Sequence, residues 1–353
     1  MKKLSMVLAV ILVAVFMLAA CTPVDKPEQS ASAQATEQST GEAAPASASA
    51  AADKSAAPLA AGEFKKLGLV HNMQSWQMYQ VMEKAIKAQC DAAGVELVVA
   101  DANGDANKQL QLIETMMNSG VNGIIVVTID GPTLEDVAKR CTENGVALVS
   151  MYIELENATA NMLVDEYKYG YAIGEMGAQY MAENFPGEEV EVALLRIHDY
   201  LPGIDRGRGM EDALKELFPT AKIVNDQNSV DVESAMKMTE AILAGNPNTR
   251  MFLADSDDTG AIGAYEVLKA KVKPEDQAKY CVIGADGVPQ AFGYIKEDGM
   301  YRGTVALDNK EIGNTAFAIV ADALAGKEFE RVQYCSFEEV TKANADEYLK
   351  QYE

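Results

Sequence analysis

Residues able to bind or react collect where short apolar runs stop. His71-Asn72-Met73-Gln74-Ser75-Trp76-Gln77 follow the run Leu67–Val70, and Asp101-Ala102-Asn103-Gly104-Asp105 follow Val95–Ala100. Thr128-Ile129-Asp130-Gly131-Pro132 close the run from Gly123, and Tyr152 closes the run from Val146. Later runs deliver residues 196–208, then Asp255-Ser256-Asp257-Asp258, Asp286-Gly287 and Asp308-Asn309. The set is made of carboxylates, amides, the pair Arg206 and Arg208, and the single tryptophan of the chain. Planar amides and carboxylates grip neighbouring hydroxyls, and an aromatic face covers the apolar side of a ring. This is chemistry for holding a small hydroxylated molecule.

The elements that must position these groups are strands and helices in alternation. Nine continuous apolar runs, including Val190–Leu195, Ala221–Val224, Met251–Ala254, Cys281–Ala285 and Thr304–Leu307, read as parallel strands covered on both faces. Helical stripes lie between them at Met78–Ala92, Leu110–Met117, Leu134–Cys141, Ile173–Met181, Met210–Phe218, Ala235–Leu243, Ile262–Leu268 and Ile312–Leu324. Gly94, Gly120, Gly145 and Gly245 stand where helices must stop. Nine strands are too many for one compact open sheet at this length, so the expectation is two doubly wound α/β lobes. In such sheets ligands bind at the carboxyl ends of strands, where the polar residues fall.

Composition removes other classes. Lys and Arg number 30 against 53 Asp and Glu, a net charge of −23, so the surface repels nucleic-acid phosphates and anionic lipid. His71 and His198 are the only histidines, which argues against a histidine-based metal centre, and the acids 255–258 lack EF-hand spacing. No Gly-x-Ser-x-Gly, His-Glu-x-x-His, phosphate-loop or Gly-x-Gly-x-x-Gly pattern occurs, so neither enzyme chemistry nor a cofactor is expected. Cys90, Cys141, Cys281 and Cys335 form no Cys-x-x-Cys pair and read as small buried residues, with a Cys281–Cys335 bridge left open.

Residues 1–20 combine Lys2 and Lys3 with an apolar run, Met6–Ala20, too short to span a membrane comfortably. The run ends Leu18-Ala19-Ala20-Cys21, matching the box at which bacterial lipoproteins are cleaved and lipidated on the cysteine. Lipid on Cys21 anchors a protein to the outer side of the cell membrane without spanning it. Residues 21–62 are rich in Ala, Ser, Gln, Glu, Thr and Pro, a linker with too little apolar surface to fold. As a coil its mean reach is about 35 Å.

From Phe64 to about Val340 the chain resembles the periplasmic sugar-binding family of ribose- and galactose-binding proteins, cousins of the lactose-repressor effector domain. The resemblance rests on Gly68-Leu69-Val70, on Asp101-Ala102-Asn103-Gly104-Asp105 before Lys108-Gln109, and on Gly120–Val126. Arg206-Gly207-Arg208-Gly209, Asp257–Ala264 and Ile283-Gly284-Ala285-Asp286-Gly287 complete it, in order and spacing. It implies two lobes joined by a three-stranded hinge, with crossings near Val164–Glu166, Leu307–Asp308 and Ser336–Glu339. The first lobe then comprises 63–165 plus 308–336, and the second 166–307 plus 337–353.

The same resemblance places ligand contacts at Ser75, Trp76, Gln77, Tyr152, Arg206, Asp257, Asp286 and Asp308. It makes Trp76 the stacking residue and Arg206 with Asp286 the charged centre. Tyr152 stands where the family usually has Asp or Asn, and the amide expected near residue 305 falls on Leu307, Asp308 or Asn309. Read from the residues alone, a core role for Trp76 and a helix-cap role for Asp286 stand as the alternatives, and Arg208 suits a structural pair with Asp258. The function expected is a monomeric lipid-anchored binding protein that passes a sugar-like ligand to an ABC permease. A sensor presenting that ligand to a chemoreceptor or histidine kinase is the alternative, and a cell-envelope glycosidase using Asp257, Asp286 and Asp308 is a weaker one.

Overall fold

The computed structural model describes residues 63–198 and 201–352; the expected signal peptide, Cys21 and the linker lie outside them. In chain order the first elements are β1 (Lys66–His71), α1 (Gln77–Ala93), β2 (Glu96–Asp101), α2 (Ala106–Asn118), β3 (Gly123–Val127), α3 (Gly131–Glu143), β4 (Ala147–Met151) and β5 (Ala160–Leu163). Then follow α4 (Glu166–Asn184), β6 (Val190–Arg196), α5 (Leu201–Leu217), β7 (Ala221–Asn228), α6 (Val232–Gly245), β8 (Thr249–Ala254) and α7 (Ile262–Lys271). The rest are β9 (Cys281–Ala285), α8 (Pro289–Lys296), β10 (Tyr301–Leu307), α9 (Asn309–Leu324), β11 (Val332–Tyr334), β12 (Phe337–Val340) and α10 (Ala345–Leu349).

Two six-stranded sheets result, ordered β11-β5-β4-β3-β1-β2 and β12-β10-β9-β8-β6-β7. Every pairing is parallel except β12 on β10. All residues of β3, β4 and β9 are buried, as strands covered on both faces require, and their continuous apolar runs supply that cover. Helix α9 follows a strand of the second sheet yet packs on β3 and β4 of the first, while α4 follows β5 of the first and packs on β8, β9 and β10. The chain therefore changes sheet at 164–165, at 308 and at 335–336. The fold is two doubly wound α/β lobes joined by three crossings.

Five helices start at an aspartate whose carboxylate accepts from the amide three residues on: Asp105, Asp130, Asp165, Asp231 and Asp308. Such a cap satisfies one orphan amide of the first turn and is worth about 1 kcal/mol. The Asp165 cap starts α4 well before the Ile173 expected from its apolar stripe. Strands β5, β11 and β12 were not expected; they have three or four residues each, at the edge where the crossings lie, and carry polar residues such as Asn161, Gln333 and Glu338. β7 runs past Val224 through Asn225-Asp226-Gln227-Asn228, since an edge strand tolerates a polar face.

Helices α4 and α5 approach unusually closely. A Cβ on Gly170 would collide with the backbone of Arg206, and one on Gly174 would lie 2.7 Å from the Met210 carbonyl oxygen. Glycine at these two places lets α5 carry Arg206 against the start of α4. Cys90, Cys141, Cys281 and Cys335 are free and buried, so the Cys281–Cys335 bridge left open above is not formed. Burial pushes the Cys141, Cys281 and Cys335 thiols up to about 12, which leaves them protonated. Arg208 pairs with Asp205 at 3.1 Å and lies over Tyr167, not with Asp258 as expected, because both partners share its own exposed helix face or the one beside it.

Candidate functional site

The carboxyl ends of both sheets carry the polar cluster. On the first lobe, β1 ends at His71, which is fully buried and held to Glu83 through Nε2 at 2.9 Å. Burial lowers its pKa against the pull of Glu83, which favours the neutral ring. Asn72 follows and donates from Nδ2 to the Tyr79 hydroxyl at 3.3 Å. Trp76, the residue before α1, stacks on Tyr79 with centroids 5.7 Å apart and planes at 10°, and Tyr79 meets Tyr152 at 6.2 Å. The result is an aromatic row, Trp76–Tyr79–Tyr152, with Trp76 53% exposed at its outer end. Tyr152 directly follows β4 and has φ 67°, a left-handed conformation that a bulky residue rarely adopts.

The second lobe supplies the charges. Arg206 Nε bonds Glu166 at 2.5 Å, and its Nη1 reaches the Asp255 carbonyl oxygen at 2.7 Å and Asp286 Oδ1 at 3.3 Å. Its guanidinium also sits 4.6 Å over the Tyr169 ring. Asp286 has φ 83° and its amide donates to the Tyr169 hydroxyl at 2.9 Å and to the Val305 carbonyl oxygen at 2.8 Å. This locks the strained turn. Burial raises Glu166 despite its guanidinium partner. The structure thus joins Arg206 to Asp286 as expected, and adds Glu166 and Tyr169, which lie on α4 and not at a strand end.

Asp257 behaves differently from the expectation of a ligand contact. It is fully buried, with Oδ1 accepting from Tyr301 at 2.6 Å and Oδ2 from Gly287 N at 3.0 Å, Val288 N at 3.1 Å and Thr304 at 3.0 Å. Four donors from the protein use up the carboxylate, so Asp257 buttresses the turn that carries Asp286. Burial nevertheless pushes its carboxyl up to about 8, and that of Asp255 up to about 6. The Tyr301 and Thr304 hydroxyls can each reverse their bonds to accept the retained proton. Asp257 starts a single π-helical turn through Ala261, the kind of irregularity that bends a helix start beside a site.

Asp308 caps α9, its Oδ1 accepting from Glu311 N at 2.9 Å, since a helix following a strand is stabilised by a capping side chain there. The neighbouring Asn309 is 1% exposed and turns inward. Asp286 caps nothing, because α8 starts at Pro289 and its cap position, Val288, makes no side-chain cap bond. Ser75 and Gln77 are exposed beside Trp76 and make no side-chain hydrogen bond among the described residues. Asn72, Tyr79, Glu166 and Tyr169 belong to the cluster but were not singled out, and Asn309 was named only as one of three places for the family's amide; Asn72 was visible as a strand-end amide, whereas the α4 residues carried no local signal. Among the described residues no cluster of three or more His, Cys, Asp or Glu side chains is arranged to hold a metal ion.

Several buried polar atoms are left open. Asn72 Oδ1, the Tyr152 hydroxyl and Asn309 Oδ1 have no partner among the described residues, and Asp286 Oδ2 accepts no bond from them. Tyr152 lies near enough to Asp286 for that charge to raise its phenol further beyond the effect of burial. A buried polar atom without a partner costs about 1–3 kcal/mol, so atoms of this kind gathered at one place mark a surface built for hydrogen bonding to something else.

Two doubly wound lobes meeting at such a surface define a two-lobed binding protein. Residues 68–328 match the family described as periplasmic binding protein domain, and the chain belongs to that family. It is 26% identical over 285 residues to the ribose import binding protein of Bacillus subtilis (strain 168), covering 78% of this chain and 88% of that one. It is likewise 26% identical over 293 residues to the xylitol-binding protein of Mycolicibacterium smegmatis, covering 81% and 80%. The fold is that of an ABC transporter periplasmic solute-binding protein from Actinobacillus succinogenes 130z with bound D-allose (TM-score 0.69, 24% identity, 80% of this chain and 100% of that one).

Proposed function

We propose that the protein captures a small neutral polyol or monosaccharide outside the cytoplasm and delivers it to an ABC importer. The observation that carries this reading is the set of unpartnered buried atoms of the first lobe, Asn72 Oδ1, Tyr152 OH and Asn309 Oδ1, flanked by an aromatic row and, from the second lobe, Asp286. Vicinal hydroxyls would satisfy acceptors and donors alternately, and the ring face would lie along Tyr79 and Trp76. Arg206 is already held by Glu166, Asp286 and a carbonyl, which disfavours an anionic guest. Relatives named for ribose and xylitol, and a fold neighbour holding D-allose, support the same ligand class.

The lobes would close on the ligand by bending at 164–165, 308 and 335–336, so that binding favours the closed form an importer reads. Anchoring through lipid on Cys21, with the residues up to 62 as tether, completes the reading. A Cys21→Ser variant should then leave the membrane fraction, and one that stays there would refute the anchor.

The test is a thermal-shift screen over pentoses, hexoses, cyclitols, linear polyols and nucleosides, followed by calorimetry. A true ligand at one hundred times its dissociation constant adds about 2.7 kcal/mol of stability. If no hydroxylated compound shifts the melt, the reading fails.

A further inference from the structure

The segment after β12 joins both lobes. Helix α10 packs on α8 of the second lobe, while the 3-10 turn Lys350–Tyr352 that follows lies against α1 of the first. This brings Tyr352 to the surface shared by the two sheets. Its hydroxyl donates to the Gly287 carbonyl oxygen at 2.8 Å, and its ring packs on Phe292 with centroids 6.2 Å apart. Asn309, Asp257 and Asp286 lie close to the same hydroxyl. Tyr152, on the first lobe, also senses Tyr352.

Each contact bears on a group the ligand would meet. Gly287, with φ 68°, is the second residue of the turn that aims Asp286, and holding its carbonyl limits rotation of that turn. An asparagine amide has two faces of opposite character. Asn309 Nδ2 donates to the Leu307 carbonyl oxygen at 3.4 Å, which leaves Oδ1 as its open acceptor, and the Tyr352 hydroxyl stands beside that amide. A residue that only filled space beside Phe292 would need no hydroxyl at this point.

We propose that Tyr352 is a positioning residue of the ligand site, and that 345–352 forms a non-covalent tie between the lobes alongside the three covalent crossings. The consequence for affinity rests on the ligand reading above; the consequence for the Gly287 turn does not.

The experiment compares the full chain with Tyr352→Phe and Tyr352→Ala. It measures amide hydrogen exchange at 286–288 without sugar, thermal melting, and calorimetry with D-ribose, D-allose, xylitol and myo-inositol as probes. Tyr352→Phe should melt close to the native protein, exchange faster at 287–288, and bind the best probe about three- to tenfold more weakly, the size of one neutral hydrogen bond. Tyr352→Ala should lose more. Native exchange and native affinity in Tyr352→Phe would overturn the proposal, whatever Tyr352→Ala does to folding. If the native protein binds none of the probes, the polyol reading falls, and exchange alone decides: faster exchange supports the tie and unchanged exchange refutes it.

Discussion

Tyr152 and Asp286 occupy equivalent places in the two lobes. Each directly follows the third strand from the crossing edge of its sheet, β4 in one and β9 in the other, and each is left-handed, with φ 67° and 83°. Neither is glycine, so each costs about 1–3 kcal/mol of local strain. That strain persists because Tyr152 N is held to Met162 O at 2.7 Å and Asp286 N to Val305 O at 2.8 Å, by the next strand of each sheet. The same device, used twice, turns a phenol and a carboxylate toward one another's lobe.

Tyr152→Phe should separate stability from binding. It removes a buried hydroxyl that has no partner among the described residues, so the unliganded protein should melt at the same temperature or higher. Affinity for the ligand should fall about three- to tenfold, the worth of one neutral hydrogen bond. Calorimetry and melting on one preparation check both; unchanged affinity would place the hydroxyl outside the site.

For Asp286 and Arg206 a double-mutant cycle is informative. Asp286→Ala should weaken binding at least about tenfold and Asp286→Asn less, since hydrogen bonds to charged groups are worth about 1.5–3 kcal/mol. Arg206→Ala leaves Glu166 and Asp286 without their shared cation and should cost stability as well, by about 3 kcal/mol or more. The pair together should lose less than the sum. Additive losses would mean that the 3.3 Å contact carries no coupling.

The raised carboxyls give a pH signature. Asp257 rises from an ordinary 3.8 to about 8 through burial, so the folded protein keeps a proton that the unfolded chain releases above about pH 4. The stability it contributes is complete below about pH 4 and is lost as pH climbs toward 8; Asp255, at about 6, acts alike over a narrower window. Asp257→Asn abolishes that slope. Its destabilisation relative to the native protein should be largest near about pH 5 and smaller near about pH 8. Urea midpoints across the range decide it, and a gap that widens with pH contradicts the assignment.

Trp76→Ala tests the outer end of the aromatic row. Half exposed, Trp76 loses little by truncation beyond its stack on Tyr79, so stability should change by no more than about 1 kcal/mol. Binding should weaken through loss of contact area. A variant that fails to fold would show that the indole supports the core.

Gly170→Ala should act at a distance. The added methyl meets the Arg206 backbone and must push α5 off α4, an overpacking cost of about 1–3 kcal/mol. Because Arg206 moves with α5, affinity should fall too. Native affinity in a folded variant would show that the helix spacing does not govern the arginine.

Much of this was legible in the chain. Buried parallel strands announce themselves as unbroken apolar runs, and β3, β4 and β9 appeared within the runs Gly123–Thr128, Val146–Tyr152 and Cys281–Ala285. The edge strands β5, β11 and β12 did not, because their pairing is supplied by partners distant in sequence and their own three or four residues carry no period. The strand-end aspartates were ambiguous for a local reason. A carboxylate after a strand is what a helix start and a polar ligand both ask for, and nothing in the nearby sequence distinguishes Asp308, a cap, from Asp286, which caps nothing.

What the sequence determined by itself was the two-lobed α/β plan, the strand ends as the place where polar groups gather, and Arg206 and Asp286 as residues that would come together there. Those follow from periodicity, from turn chemistry and from motif order, all of which act over a few residues. Only the tertiary structure decided that Asp257 spends its carboxylate on four internal donors, that Asn309 and not Asp308 faces inward, and that Glu166 and Tyr169 stand behind the arginine. A hydrogen bond is claimed by whichever donor the packing brings within about 3 Å, and that choice is made by glycine contacts between α4 and α5 and by crossings that join residues far apart in the chain.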